Sequence, residues 1–137
     1  MTSMTILFNG TTLSNNCLQN LENVQCVPTV YINNPEKNCY YAITLTDPDC
    51  SYPSYLHWFI ADIPYTNPNS LDSSTFVAFL GSDVRNHRYI FTLYKYYEDD
   101  KKFMLPLSLI GNSNFNEDIF AYINNIKIVC TLTYNVL

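Results

Sequence analysis

The chain holds two histidines, His57 and His87, and each stands where an apolar segment begins. Asp47 and Asp49, in Asp47-Pro48-Asp49, close a third such segment. Adjacent strands would bring Asp47, His57 and His87 to one rim. The spacing predicts that the two imidazoles face each other across a pocket, with Asp47 holding one of them. Two imidazole N–H donors, their tautomers fixed by carboxylates, make a small receptor for an anion such as phosphate. The competing reading is two core histidines, each satisfied by one hydrogen bond.

Other chemistries fit less well. Zinc sites need three or four ligands, and neither HExxH nor a close Cys/His cluster occurs. The two histidines with Asp47 leave a two-His, one-carboxylate site open, but no metal and no cofactor are expected. A G-x-S-x-G elbow is absent, and Cys50 beside Asp49 reads as a small loop residue before it reads as a nucleophile. The three glycines precede no Lys-Ser/Thr pair, which excludes a phosphate loop. The expectation is a binding protein without catalytic residues.

These side chains need strands to position them. Tyr40 to Thr46 is aromatic and β-branched, and Pro48 ends it because proline brings no amide hydrogen to a ladder. Leu56 to Ile63 is apolar on both faces, with His57 expected on the face of Phe59, Ala61 and Ile63; such a strand is central. His87 to Tyr96 alternates, with Tyr89, Phe91 and Leu93 on the side of His87. Shorter strands are expected at Thr5 to Phe8, turning at Asn9-Gly10, at Val27 to Ile32 and at Thr75 to Leu80. Residues 11 to 25 read as loop, anchored by Leu13, Leu18 and Leu21, and Met104 to Ile110 as irregular. Phe115 to Asn125 is the helical pattern, capped by Asn116, with Ile119, Phe120 and Ile123 on its apolar face. Ile126 to Val136 closes the chain as a strand, with Ile126, Ile128, Cys130, Leu132 and Tyr134 on one face. The sum is a single domain over 1–137, a mainly β antiparallel sandwich with one late helix, whose central sheet contains 40–46, 56–63 and 87–96.

Composition narrows the partners. A net charge of −5 with no basic run argues against nucleic acid. No stretch reaches the ~18 apolar residues of a membrane span. Five cysteines without a C-x-x-C pair suit reduced thiols in the cytoplasm. Abundant Asn and Tyr suit an AT-rich genome, such as that of a parasite or a large DNA virus.

Leu45-Thr46-Asp47-Pro48-Asp49, Leu56-His57-Trp58 running to Asp62-Ile63-Pro64, and His87-Arg88-Tyr89 with Leu93-Tyr94 together resemble the phosphatidylethanolamine-binding protein family. That family includes Raf kinase inhibitor proteins and plant flowering-time regulators. Phe115 to Tyr122 resembles its late F-x-x-x-x-F-A helix, and Val129 to Asn135 its last core strand. The resemblance covers roughly residues 26 to 135. It implies a sandwich around a large central sheet, with a pocket for anions and phospholipid headgroups at one end. It carries ligand-binding roles to Asp47, His57, His87, to Gly81 as the glycine opening the pocket loop, and to Tyr134 as a late pocket tyrosine. Arg88 is expected to be structural, pairing with Asp49.

The chain departs from the family in two places. D-P-D-A-P is here Asp47-Pro48-Asp49-Cys50-Ser51, and the long stretch before the H-R strand is cut to Asp83-Val84-Arg85-Asn86. The resemblance therefore implies either a phosphate or headgroup binder with a regulatory role, or a protein-interaction module for a kinase, protease or assembly partner whose pocket is vestigial.

Overall fold

The computed structural model describes residues 1–51, 53–106 and 111–137. The expected strand at Tyr40 becomes β5 (Tyr40–Asp47), that at Leu56 becomes β6 (Tyr55–Pro64), and the alternating third becomes β8 (Arg88–Tyr96). They lie side by side, β5 between the other two and antiparallel to both. With β3 (Cys17–Gln19), β7 (Ser74–Val77) and β9 (Lys127–Val136) they form one sheet in the order β3-β9-β8-β5-β6-β7. A second sheet, β2-β1-β4, comprises β1 (Ser3–Phe8), β2 (Thr11–Thr12) and β4 (Thr29–Asn33). Its hairpin turns at Asn9-Gly10, both at positive φ, as a tight primed turn requires.

Two cores flank the central sheet, so its middle strands are buried on both faces. Ile6 and Phe8 of β1 and Val30 and Ile32 of β4 pack on Tyr41, Ile43, Leu45, Phe91 and Leu93. On the opposite face Ala42, Phe59, Tyr94 and Tyr96 meet Phe120 and Ala121 of the helix α1 (Glu117–Asn124). Asn116 caps that helix by accepting from the Ile119 N–H at 3.0 Å. Asn125 ends it in the left-handed conformation.

Four sequence readings are corrected. Residues 11–25 are not all loop: β3 adds to β9 in parallel, so the sandwich is not wholly antiparallel. Leu18 is exposed there, while Leu13 is buried. On α1 the buried face is Phe120, Ala121 and Asn124, and Ile119 and Ile123 point outward. In β9 the ladder shifts between the Cys130 and Ile128 pairings, so Ile128 is exposed while Val129 and Cys130 both pack toward the small-sheet core. Of the irregular stretch Met104 to Ile110, residues 107–110 lie outside the described residues.

The fourth correction bears on the site. Leu45 pairs with Trp58 and Thr46 with Leu56, so His57 is the extra residue of a β-bulge. Leu56 packs on the helix side but Trp58 on the small-sheet side. His57 touches Tyr89 of the small-sheet core, and so does not share the face of Phe59 and Ala61. Bulges bend a strand and re-aim a side chain, and this one turns an imidazole that simple alternation would have sent under the helix.

Candidate functional site

Asp47 ends β5, Tyr55 begins β6 directly opposite it, and Arg88 begins β8. The chemistry is thus gathered at one end of the central sheet. Asp47 is buried, and both its oxygens are engaged. Oδ1 accepts from the Asp49 N–H at 2.9 Å, an Asx turn that folds the Pro48 loop. Oδ2 accepts from His87 Nδ1 at 2.7 Å. Asp49 in turn accepts from Arg88 Nε at 3.0 Å and Nη2 at 2.8 Å, and from the Arg88 backbone N–H. This fork is the expected structural pair. The guanidinium holds the Asp49 carboxyl below the usual carboxylate range.

His57 is fixed from several sides. Its Nδ1 donates to the Leu80 carbonyl at 2.9 Å, and the Leu80 N–H donates to the His57 carbonyl at 2.9 Å. The ring sits edge-to-face with Tyr55 and Tyr89, at centroid distances of 5.1 and 5.4 Å. With Nδ1 spent as a donor, Nε2 is the position left for a ligand. Tyr89 is buried beneath, and burial pushes its phenol up to about 12. Its hydroxyl accepts from the Val84 N–H and donates to the Val84 carbonyl.

A cleft of about 270 Å³ opens between these parts. Asp47 and Cys50 line it from the loop after β5, Tyr55 and His57 from β6, and Leu80, Asp83 and Val84 from the segment after β7. Two predicted site residues, Asp47 and His57, therefore form its wall. His87 stands one hydrogen bond further back, on Asp47, so the histidines do not both line the cleft. Tyr134 is wholly buried behind it, stacked on Tyr89, with its hydroxyl 2.5 Å from Ser82 Oγ.

Gly81 does not line the cleft either; its role is close backbone approach. A Cβ on it would come within 2.8 Å of the Gln25 Cα and carbonyl oxygen. The Gln25 side chain donates to the Ser82 carbonyl, and the Ser82 N–H to the Val24 carbonyl. The short loop before His87 is thereby clamped and walls the cleft in place of a longer one. Sequence reasoning missed Tyr55, Leu80, Ser82 and Gln25. Period-two spacing from His57 points at Tyr55, but no local signal marks Gln25.

Among the described residues no group of three or more His, Cys, Asp and Glu could hold a metal ion. No disulfide joins any of the five cysteines. No helix among the described residues is long and apolar enough to cross a membrane.

The family model described as phosphatidylethanolamine-binding protein matches residues 4–126. Protein MOTHER of FT and TFL1 homolog 2 of Oryza sativa subsp. japonica is 30% identical over 131 residues, covering 87% of this chain and 71% of that protein. Protein CENTRORADIALIS of Antirrhinum majus is 24% identical over 138 residues, covering 90% of this chain and 74% of its own. The solved structure of E. coli YBCL, described as a new member of the mammalian PEBP family, shares the fold with a TM-score of 0.54 at 17% identity. That match covers 98% of this chain and 99% of the other. With the family model spanning most of the chain and the expected sheet in place, this chain belongs to the phosphatidylethanolamine-binding protein family.

Proposed function

We propose that this protein binds a phospholipid headgroup, or a small phosphate that mimics one, in the cleft at the end of the central sheet, and that its role is regulatory and not catalytic. The observation that carries this reading is the pairing of opposite chemistries on fixed supports. His57 offers Nε2 from a ring locked by Leu80 and two tyrosines. Asp83 lines the same cleft and makes no side-chain hydrogen bond among the described residues. With Nδ1–H committed to Leu80, Nε2 donates to a phosphate only from the imidazolium; that cation for a phosphate and a carboxylate for an ammonium fit a zwitterion better than a bare anion. At about 270 Å³ the cleft holds a headgroup and leaves acyl chains outside. His87 and Asp47 set the electrostatics behind it.

The second reading is a protein-interaction module for a kinase, protease or assembly partner. It is favoured by the exposed apolar stripe Ile119, Tyr122 and Ile123 on α1. The five thiols fit a cytoplasmic setting under either reading.

Calorimetric titration with glycerophosphoethanolamine separates the two. An imidazolium holds a phosphodiester anion more strongly than a neutral imidazole does, so binding should tighten as the solution is made more acidic. His57→Gln should abolish binding, and His87→Ala should weaken it about tenfold with the fold retained. No saturable heat at pH 6 with millimolar ligand would leave the interaction module as the surviving reading.

A further inference from the structure

At the other end of β8 the sheet carries a second concentration of charge. Lys95 of β8 and Lys127 of β9 are directly opposite each other in the ladder, so both side chains leave the same face. Like charges in that register repel and weaken a sheet unless something lies between them. Lys95 has part of the remedy: its Nζ donates to Glu36 Oε2 at 2.5 Å, and Tyr97 donates to the other Glu36 oxygen at 3.0 Å. Glu36 also fixes the chain locally, because its N–H donates to the Tyr41 hydroxyl at 2.7 Å. Lys127 has no carboxylate within ion-pair distance among the described residues.

A cleft of about 290 Å³ lies here, bounded by the residue-1 and residue-2 end of β1, by the two lysines, and by Ile128 and Val129. Two ammonium groups thus face a single carboxylate on a chain whose net charge is −5. The local sign is opposite to that of the protein as a whole. Lys95 is held in place by Glu36 and is only 26% exposed, so little of its freedom remains to be lost on binding. Ile128 and Val129 add an apolar wall beside the charges.

We propose that this cleft is a second binding site, which takes a small oxyanion, phosphate or carboxylate, bridged between Lys127 and Lys95. It is independent of the histidine cleft. Arg88 begins β8 at the same end of the sheet as that cleft, and Lys95 lies seven residues along the strand, ~23 Å away at the rise of an extended chain. An oxyanion between the two ammonium groups would remove the cross-strand repulsion that Glu36 relieves only on the Lys95 side.

The test is a titration of the full chain with inorganic phosphate at constant ionic strength, chloride making up the balance, followed by backbone amide NMR. The amides of Thr2, Lys127, Ile128 and Val129 should shift along one saturating curve. Residues 55 to 57 should follow a separate one. Lys127→Gln, an exposed change, should weaken the first curve at least tenfold and leave the second unmoved. Repeating the titration with acetate shows whether a carboxylate competes for the same residues. Shifts that rise linearly without saturating, or a curve unchanged in Lys127→Gln, would overturn the proposal.

Discussion

Gly81→Ala is the most informative single change in this protein. The added Cβ would meet the Gln25 Cα and carbonyl oxygen at 2.8 Å and its carbonyl carbon at 3.1 Å. Ordinary carbon contacts lie near 3.5–4.0 Å, so the two backbones must part by several tenths of an ångström to about 1 Å. Both sides are main chain, and no side chain can swing away. Overpacking of this kind costs about 1–3 kcal/mol. The Ser82 N–H to Val24 bond is already 3.4 Å long and would be lost, adding about 1 kcal/mol. The sum, about 2–4 kcal/mol, lowers the melting temperature by roughly 8–15 °C for a domain of this size. Displacing residues 81–84 also moves Asp83 and Val84 at the cleft wall, so headgroup affinity should fall about tenfold. Gly10→Ala is the control. Gly10 has φ +80° and nothing within 4 Å of an added Cβ, so its cost is conformational, about 1–2 kcal/mol, and should leave binding unchanged. Thermal unfolding followed by circular dichroism checks the first quantity, and calorimetry the second. A Gly81→Ala protein melting within 2 °C of wild type would refute the reasoning, because it would mean that the clamp yields without cost.

Two further outcomes are expected. Buried Asn124 accepts from the Met104 N–H at 2.7 Å and donates to the Met104 and Phe120 carbonyls at 2.8 and 2.9 Å; Asn124→Ala strands both Met104 groups and should cost about 2–4 kcal/mol, and an unchanged urea midpoint would contradict this. The Asp49 carboxyl is held low by Arg88, so its stabilising effect is complete above the unfolded carboxylate value near pH 4 and is lost as pH falls through the lower folded value. Arg88→Gln should therefore flatten the fall in melting temperature below about pH 4, and parallel acid limbs in the two proteins would rule that out.

The strands that carry the site were legible because their information is local. Leu56 to Ile63 is apolar on both faces and Tyr40 to Thr46 is aromatic and β-branched, and the structure puts both strands inside the six-stranded sheet, β5 between β6 and β8 and β6 between β5 and β7, with a core on each face. The Arg88–Asp49 fork and the Asn116 cap were also readable, since each depends on residue type at a strand end or helix start. The family motifs brought Asp47 and His87 together correctly.

Tertiary structure alone decided the rest. The bulge at His57 arises from how β6 registers on β5, and it overturns the strict alternation that local periodicity assumes. The short parallel strand β3 exists only because β9, far along the chain, offers an open edge; three mixed residues carry no strand signal of their own. On an eight-residue helix with apolar residues all round, only the packing of Phe120 against Phe59 and Tyr94 settles which face is inside. The Gln25–Gly81 approach and the Lys95–Lys127 pairing join segments dozens of residues apart. A sequence pattern records what each strand buries, but which side chains meet is fixed by register and close backbone contact between strands.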